Sequence, residues 1–392
     1  MTASGCLIVI PARYGSTRLP GKPLIPLAGK PLIAWVVAAA LQAQKATGVV
    51  VATDHPEIAE AARRAGAEAL LTSASHRNGT ARLLEVAAQR PAAAYINLQG
   101  DEPLINPQDV DRLINALQQG AADVFSLCHG ISAAQAQEPS RVKVARSEQG
   151  RALYFSRSPI PHGTVRYWQH LGVYGFQAQA LDWIRQLAPT ALEQQEQLEQ
   201  LRWLEAGLRI DLLESSAPSL GVDTPADLEE VSRVLQLRQI KGLLCDVDGV
   251  LTDGRLWYGP DGEELKAFHV RDGLAIKQLI SSGIDVALVS GGDSPALRLR
   301  MADLGIKHAV LGQADKAVAS RQMAAELGLE LEALAYVGDD SPDLAGMYLC
   351  GWSFAVADAP EVVQSAAGSV LSTRGGEGAI REVAQMLLEA KP

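Results

Sequence analysis

Residues 246–254 read DVDGVLTDG and directly follow the apolar run GLLC. Side chains alternate along an extended strand, so Asp246 and Asp248 at a strand end place both carboxylates on one side of the backbone. One carboxylate of such a pair can attack phosphorus while the other delivers a proton to the leaving oxygen. Both can help hold a hard divalent cation. A second chemistry-bearing stretch lies far upstream: residues 10–24, IPARYGSTRLPGKPL, carry Arg13, Arg18 and Lys22 among Gly15, Ser16 and Gly21. Glycine lets backbone N–H groups approach an anion, and hydroxyls and cations complete a cradle for a triphosphate. Two sites are therefore expected on one chain.

The elements that must position them are short apolar strands alternating with amphipathic helices. LIVIPA (7–12), VVVAT (49–53) and YINLQGD (95–101) adjoin helical stretches such as 32–44, a pattern of βαβ units with reactive loops at the carboxyl ends of parallel strands. Residues 151–174, richer in Tyr, Arg, Pro and His, read as an insertion lining a site. The Gln- and Glu-rich 193–200 reads as an exposed helix start. A second series begins at GLLCDVDG and continues through DVALVSGG (285–292) and ALAYVGDD (333–340). Between the series, 224–237 has apolar residues at helical spacing with Pro225 near its start, and no Gly/Ser/Pro-rich linker follows. The expected architecture is α/β with two doubly wound domains, 1–237 and 238–392, joined almost directly.

At 392 residues the chain exceeds the size at which single cores usually split. A composition 47% apolar and 20% charged is that of an ordinary globular protein, and a net charge of −10 argues against a nucleic-acid or anionic-membrane partner. Small anionic substrates held by a few Lys and Arg, with metal ions as mediators, fit better. Cys6, Cys128, Cys245 and Cys350 are widely spaced and form no CxxC, which predicts reduced thiols and a cytoplasmic protein. The amino terminus lacks a basic region before its apolar stretch, and the longest apolar run, 32–41, is too short to span a bilayer.

Six ordered runs, IPARYGSTRLPGKPL, LQGDEPLI, ALYFSRSPIP, HLGVYGF, LEQLRWL and GVDTPADL, make residues 5–235 resemble the CMP-Kdo synthetases, the CTP:3-deoxy-D-manno-octulosonate cytidylyltransferases. The resemblance implies that Ala12, Arg13, Gly15, Ser16, Arg18 and Lys22 hold the nucleotide, with Arg18 and Lys22 acting on the reacting phosphates. It implies Mg²⁺ on Asp101 and Asp223. It places Gln99, Arg157, His170, Tyr174, Glu199 and Gln200 around the sugar acid, and Gly79 and Thr80 by the cytosine and ribose. Many members carry Ser-Gly-Thr-Glu-Arg where this chain has Asn78-Gly79-Thr80-Ala81-Arg82, and the span between Pro161 and His170 is short. Those departures bear on which sugar is used.

The carboxyl half resembles the haloacid dehalogenase superfamily, and within it the 3-deoxy-D-manno-octulosonate 8-phosphate phosphatases, over about residues 240–390. The matching runs are DVDGVLTDGRLWYGPDGEELKAFHVRDG and AYVGDDSPDL. The resemblance implies Asp246 as nucleophile, Asp248 as general acid/base and Ser290 as a phosphoryl-oxygen ligand. Lys316 would offset the charge, and Mg²⁺ would sit on Asp246, Asp248 and Asp339, with Asp340 or Asp343 as a further candidate. A carboxylate cannot approach a phosphate dianion until metal and ammonium cancel the repulsion. The group lacks a large cap, and a β-hairpin, here around 259–262, typically packs across subunits into a homotetramer. Gly292 and Glu377 stand where these phosphatases usually have arginine, with Arg374 or Arg381 as candidate substitutes.

Together these resemblances imply a bifunctional enzyme that removes the 8-phosphate from the octulosonate and couples the freed sugar to CMP, with Mg²⁺ at both sites. The alternative keeps CTP but changes the sugar to a sialic-acid-like or 8-amino ulosonic acid, the second domain hydrolysing a related phosphate or mainly driving oligomerisation, as in the animal CMP-sialate synthetases.

Overall fold

The structure is a computed structural model describing residues 5–15, 19–215, 220–260 and 262–391. Ser16 and Arg18 of the cation-rich loop, and Asp261 in the expected hairpin turn, lie outside the described residues. The chain forms two compact units that divide between Ser232 and Arg233, inside the helix Pro225–Gln239. No helix among the described residues is long and apolar enough to cross a membrane.

In the first unit the sheet runs in the order Ile210–Glu214, Val124–Ile131, Tyr167–Gln177, Ala94–Asn97, Cys6–Ala12, Gly48–Thr53 and Glu68–Leu71. The last four are mutually parallel, as the βαβ pattern predicts. The stretch 151–174, read as an insertion lining a site, belongs to antiparallel strands, and its second part, in Tyr167–Gln177, is an interior strand antiparallel to both neighbours. Its run HLGVYGF is buried almost continuously, as a strand covered on both faces requires. The strands Lys143–Arg146 and Ala152–Ser156 form a side ladder leading from it. Helix Pro107–Gln119 shows how sequence dictates packing here: Val110, Leu113, Ile114 and Leu117 recur at helical spacing and are buried, Asn106 caps the start and Gly120 ends it at φ 69°.

In the second unit six parallel strands run in the order His308–Leu311, Asp285–Ser290, Gly242–Cys245, Leu334–Gly338, Trp352–Ala355 and Ser369–Val370. GLLC and LAYVG are buried at every residue, so no polar face is left to solvent and the central strands end abruptly at Asp246 and Asp339. The hairpin pairs Trp257–Gly259 with Gly262–Leu265, and Trp257, Tyr258 and Leu265 are exposed. All four cysteines are free, three of them buried.

Candidate active sites

Lys22 follows the loop from the first strand, and Gly21 before it adopts φ +66°. The Lys22 ammonium donates to Asp101 Oδ2 at 2.5 Å, to Val222 O at 2.7 Å and to Asp223 Oδ1 at 3.2 Å. Two carboxylates distant in sequence are thereby gathered on the wall of a chamber of about 330 Å³, which Ala12, Arg13, Lys22, Gly79, Asp101 and Asp223 help line. Gly100 lets the following loop approach the first strand, since a Cβ there would lie 2.8 Å from Pro11 O. The donor set is hard oxygen, and both oxygens lie within 3.2 Å of one cation, so a divalent ion suits the same place.

The chamber shares His76, Arg77, Asn78, Gly79, Gln99 and Asp223 with a larger cleft of about 1300 Å³. Thr80, Gln99, Arg157, His170, Tyr174, Glu199 and Gln200, all expected at the nucleoside or sugar, line that cleft. Arg157 is held by Glu196, its Nε donating to Glu196 O at 2.9 Å and its backbone N–H to Glu196 Oε2 at 2.8 Å. Gln197 takes φ 54° and breaks the helical run, ending Ala191–Glu196 before Gln200–Glu205 begins. Glu199 and Gln200 face the cleft from beyond that break. Thr80 Oγ donates to Glu199 Oε1 at 2.7 Å, while Glu199 Oε2 is buried without a hydrogen-bond partner. Burial pushes the Glu199 carboxyl up to about 7, against the pull of Thr80 and Arg202. Burial also holds His170 down at about 3, so its ring is neutral beside Ser126 Oγ at 2.9 Å. Asn78 caps the helix Gly79–Gln89 through Ala81 N–H at 2.9 Å, a contact worth about 1 kcal/mol. Asn78 thus supplies the cap, and Ala81 lines the cleft with a side chain that carries no charge.

In the second unit Asp246 leaves the strand Gly242–Cys245 and is 7% exposed. Lys316, at the start of helix Lys316–Leu327, donates to Asp246 Oδ1 at 2.5 Å and to Val289 O at 2.8 Å. Oxygens of Asp246, Asp339 and Asp343 all lie within 4.8 Å of one another. Burial first, then repulsion from Asp343, raises Asp246 to about 6; burial with Asp246 and Asp343 raises Asp339 to about 8. Three oxygen donors this close together, two of them with their negative charge resisted by burial, fit a hard dication such as Mg²⁺. Asp343 is held for this by Tyr336 O–H at 2.7 Å and Asp339 N–H at 3.0 Å, whereas Asp340 is exposed and bonds Ser341 N–H. Asp343 is thus the member of the pair that joins the cluster. The Asp248 carboxylate stands outside that cluster: Oδ1 accepts from Lys266 at 2.5 Å. Ser290, 1% exposed at its strand end, accepts from Gly292 N–H at 3.0 Å. A Cβ at Gly292 would stand 3.7 Å from both Asp248 Oδ2 and Ser290 Oγ, so position 292 looks straight into the site.

Of the two candidate arginines, Arg381 bonds Gln278 Oε1 at 2.7 Å, and Arg374 pairs with Asp358 at 3.4 Å. Gly15, expected at the nucleotide, lines neither cavity. Lys266 on Asp248 and Glu196 on Arg157 were not expected from sequence. Lys266 lies within the quoted run GEELKAF, but nothing in spacing says which strand-end carboxylate a hairpin lysine will meet.

Residues 7–210 match the Cytidylyltransferase family, and residues 309–382 match the haloacid dehalogenase-like hydrolase family. The 3-deoxy-manno-octulosonate cytidylyltransferase of Escherichia coli is 48% identical over 237 residues, spanning 59% of this chain and 96% of that protein. A solved CMP:2-keto-3-deoxy-manno-octonic acid synthetase complexed with CTP superposes with a TM-score of 0.57 at 47% identity, covering 59% of this chain and 98% of that one. A cobalt-bound deoxy-D-mannose-octulosonate 8-phosphate phosphatase from Haemophilus influenzae is 53% identical over 40% of this chain and 91% of its own, with a TM-score of 0.40. The chain belongs to the cytidylyltransferase family and carries a haloacid dehalogenase-like unit behind that domain.

Proposed function

We propose that the first unit transfers CMP from CTP to 3-deoxy-D-manno-octulosonate and that the second hydrolyses the sugar's 8-phosphate. The observation that carries the first half is the chamber opening into the cleft along a common wall, which gives a nucleotide and an acceptor adjoining places. The anomeric hydroxyl oxygen attacks the α-phosphorus and its proton passes to solvent, the P–O bond to pyrophosphate breaks, and charge grows on the phosphate oxygens. Arg13 and Lys22 face that charge, and Asp101 and Asp223 would hold a Mg²⁺ that neutralises it. The neutral imidazole of His170 and the amides of Gln99 and Gln200 orient the hydroxylated acceptor, with Arg157 toward its carboxylate.

In the second unit an Asp246 oxygen forms a bond to phosphorus as the ester bond breaks, and Asp248 gives its proton to the leaving sugar oxygen. Water then attacks the aspartyl-phosphate, returns a proton to Asp248 and frees phosphate. Lys316 and Ser290 steady the phosphoryl group, and Asp246, Asp339 and Asp343 would hold Mg²⁺, which supplies charge neutralisation. Asp246 beside buried Lys316 supports this reading, as does the hydrolase-family match over 309–382. The exposed Trp257, Tyr258 and Leu265 suit the hairpin to pairing with further copies in a homotetramer. Free thiols and dependence on CTP suit the cytoplasm.

A two-part assay tests the reading: pyrophosphate released from CTP with the octulosonate, and phosphate released from its 8-phosphate. Absence of either from the pure chain with Mg²⁺ would remove that half. A sialic-acid-like or 8-amino acceptor serving better than the octulosonate would shift the sugar assignment, and the uncharged wall at Ala81 is where that choice would be made.

A further inference from the structure

Beneath the smaller chamber lies a network of side chains that none of the steps above uses. Arg82 is 3% exposed, yet it lines that chamber. Its guanidinium donates to Thr72 Oγ at 2.5 Å and to Asp54 Oδ2 at 3.0 Å. Thr72 and Asp54 directly follow the neighbouring parallel strands Glu68–Leu71 and Gly48–Thr53. The other Asp54 oxygen accepts from the backbone N–H of Tyr14 at 3.1 Å. Tyr14 O in turn accepts from Gly21 N–H at 3.2 Å, and the Tyr14 ring stacks on His55 with centroids 4.1 Å apart and planes 17° from parallel. Residue 14 is thus held at its amide, its carbonyl and its ring. Arg13 lies immediately before it, and Lys22 immediately after Gly21.

We propose that Asp54, Arg82 and Tyr14 are positioning residues that set Arg13 and Lys22 for the triphosphate before the nucleotide arrives. The inference rests on reading that chamber as a CTP site. Buried Arg82 makes Asp54 a fixed point, because a guanidinium out of water keeps its carboxylate partner. Asp54 then fixes one end of the loop through Tyr14 N–H, and Tyr14 O fixes the other through Gly21. Ordering done before binding does not have to be done during it, so the device acts on CTP affinity.

The test measures CTP binding to the full chain with Mg²⁺ by calorimetry, with pyrophosphate release followed beside it. Asp54→Ala and Tyr14→Ala are each expected to weaken CTP about tenfold while the acceptor KM changes less than about twofold. Tyr14→Phe, which keeps the stacking ring, should recover most of the loss. Tyr14→Ala serves independently of Asp54→Ala if the latter fails to fold, because Tyr14 is 44% exposed. Unchanged CTP affinity in Tyr14→Ala overturns the proposal. So does a parallel loss of CTP and acceptor affinity, since that is what general loosening of the unit gives. A wild-type chain that binds CTP without releasing pyrophosphate removes the catalytic reading alone; one that does not bind CTP removes both.

Discussion

The Lys316 ammonium lies 2.5 Å from an Asp246 oxygen, and neither side chain is more than a tenth exposed. The same ammonium is 3.5 Å from Asp343 Oδ1, so one cation serves both that carboxylate and Asp246, which burial already pushes toward protonation. Removing it leaves carboxylates with nothing to offset them but a metal or a proton. Lys316→Met should lower phosphate release by about a hundredfold or more, the scale of losing an electrostatic partner at a reacting phosphoryl group. Pyrophosphate release by the same preparation should stay within about twofold. Asp246→Asn, which keeps shape and removes the nucleophile, should abolish phosphate release altogether. Retained phosphatase activity in Asp246→Asn would put the nucleophile elsewhere.

Gly249 adopts φ +91°, and a Cβ built there would lie 2.0 Å from Asp339 Oδ2. Neither backbone nor neighbour can accept a side chain without displacing Asp339. Gly249→Ala should therefore cut phosphate release at least about tenfold, with the left-handed conformation adding roughly 1 kcal/mol of destabilisation. Phosphate-release kinetics together with a denaturation curve separate the two effects.

Much of this was legible before any coordinates. Apolar strands ending in Asp or Ser mark the reactive edge of a parallel sheet, and Asp246 stands there; Asp248 lies in the turn beyond the strand Gly242–Cys245, where Lys266 rather than strand alternation sets its carboxylate. What stayed hidden depends on pairing between distant segments. YWQHLGVYGFQ becomes an interior antiparallel strand because Asn97 and Ser126, on two different neighbours, both lie opposite Tyr174. Asp340 and Asp343 are equivalent in a string of letters. Only the buried Tyr336 hydroxyl, reaching Asp343 from the preceding strand, separates them. The break at Gln197 was also unreadable, since a glutamine at φ 54° defies its own local preference.

Asp101 shares Lys22 with Asp223, yet its side chain is a third exposed, so little of the fold's stability hangs on it. Asp101→Asn should reduce pyrophosphate release by about a hundredfold or more while the melting temperature moves by only a few degrees. Phosphate release should be unaffected. Joint loss of both activities would mean that Asp101 holds up structure instead.

Glu199 yields a pH signature. Its carboxyl rises from 4.5 in a free chain to about 7 in the fold, chiefly through burial. Between those values the folded state holds a proton that the unfolded state has lost, so stability falls as pH climbs from about 4.5 to about 7 and then levels off. The full effect is at most about 3 kcal/mol. Glu199→Gln removes the titration, so the wild-type-minus-variant difference in unfolding free energy should drop across that window. A difference that is flat from pH 4.5 to 7 would contradict the burial of this carboxyl.

The acidic cluster makes a metal prediction with a readout independent of turnover. An ion that binds the folded unit but not the unfolded chain stabilises it by about 2.7 kcal/mol at a hundredfold excess over Kd. Amides of Leu243, Leu244, Tyr336 and Val337 sit in the fully buried central strands, where exchange requires wide opening. Mg²⁺ should slow their hydrogen exchange about a hundredfold under those conditions. Asp339→Asn should erase most of that slowing, and chelation of the wild-type protein should restore fast exchange and stop phosphate release. The strand amides of Ile8 and Val50 in the other unit provide the contrast: they should not respond to Asp339→Asn. If Mg²⁺ slows exchange equally in wild type and Asp339→Asn, the ion binds outside the group formed by Asp246, Asp339 and Asp343.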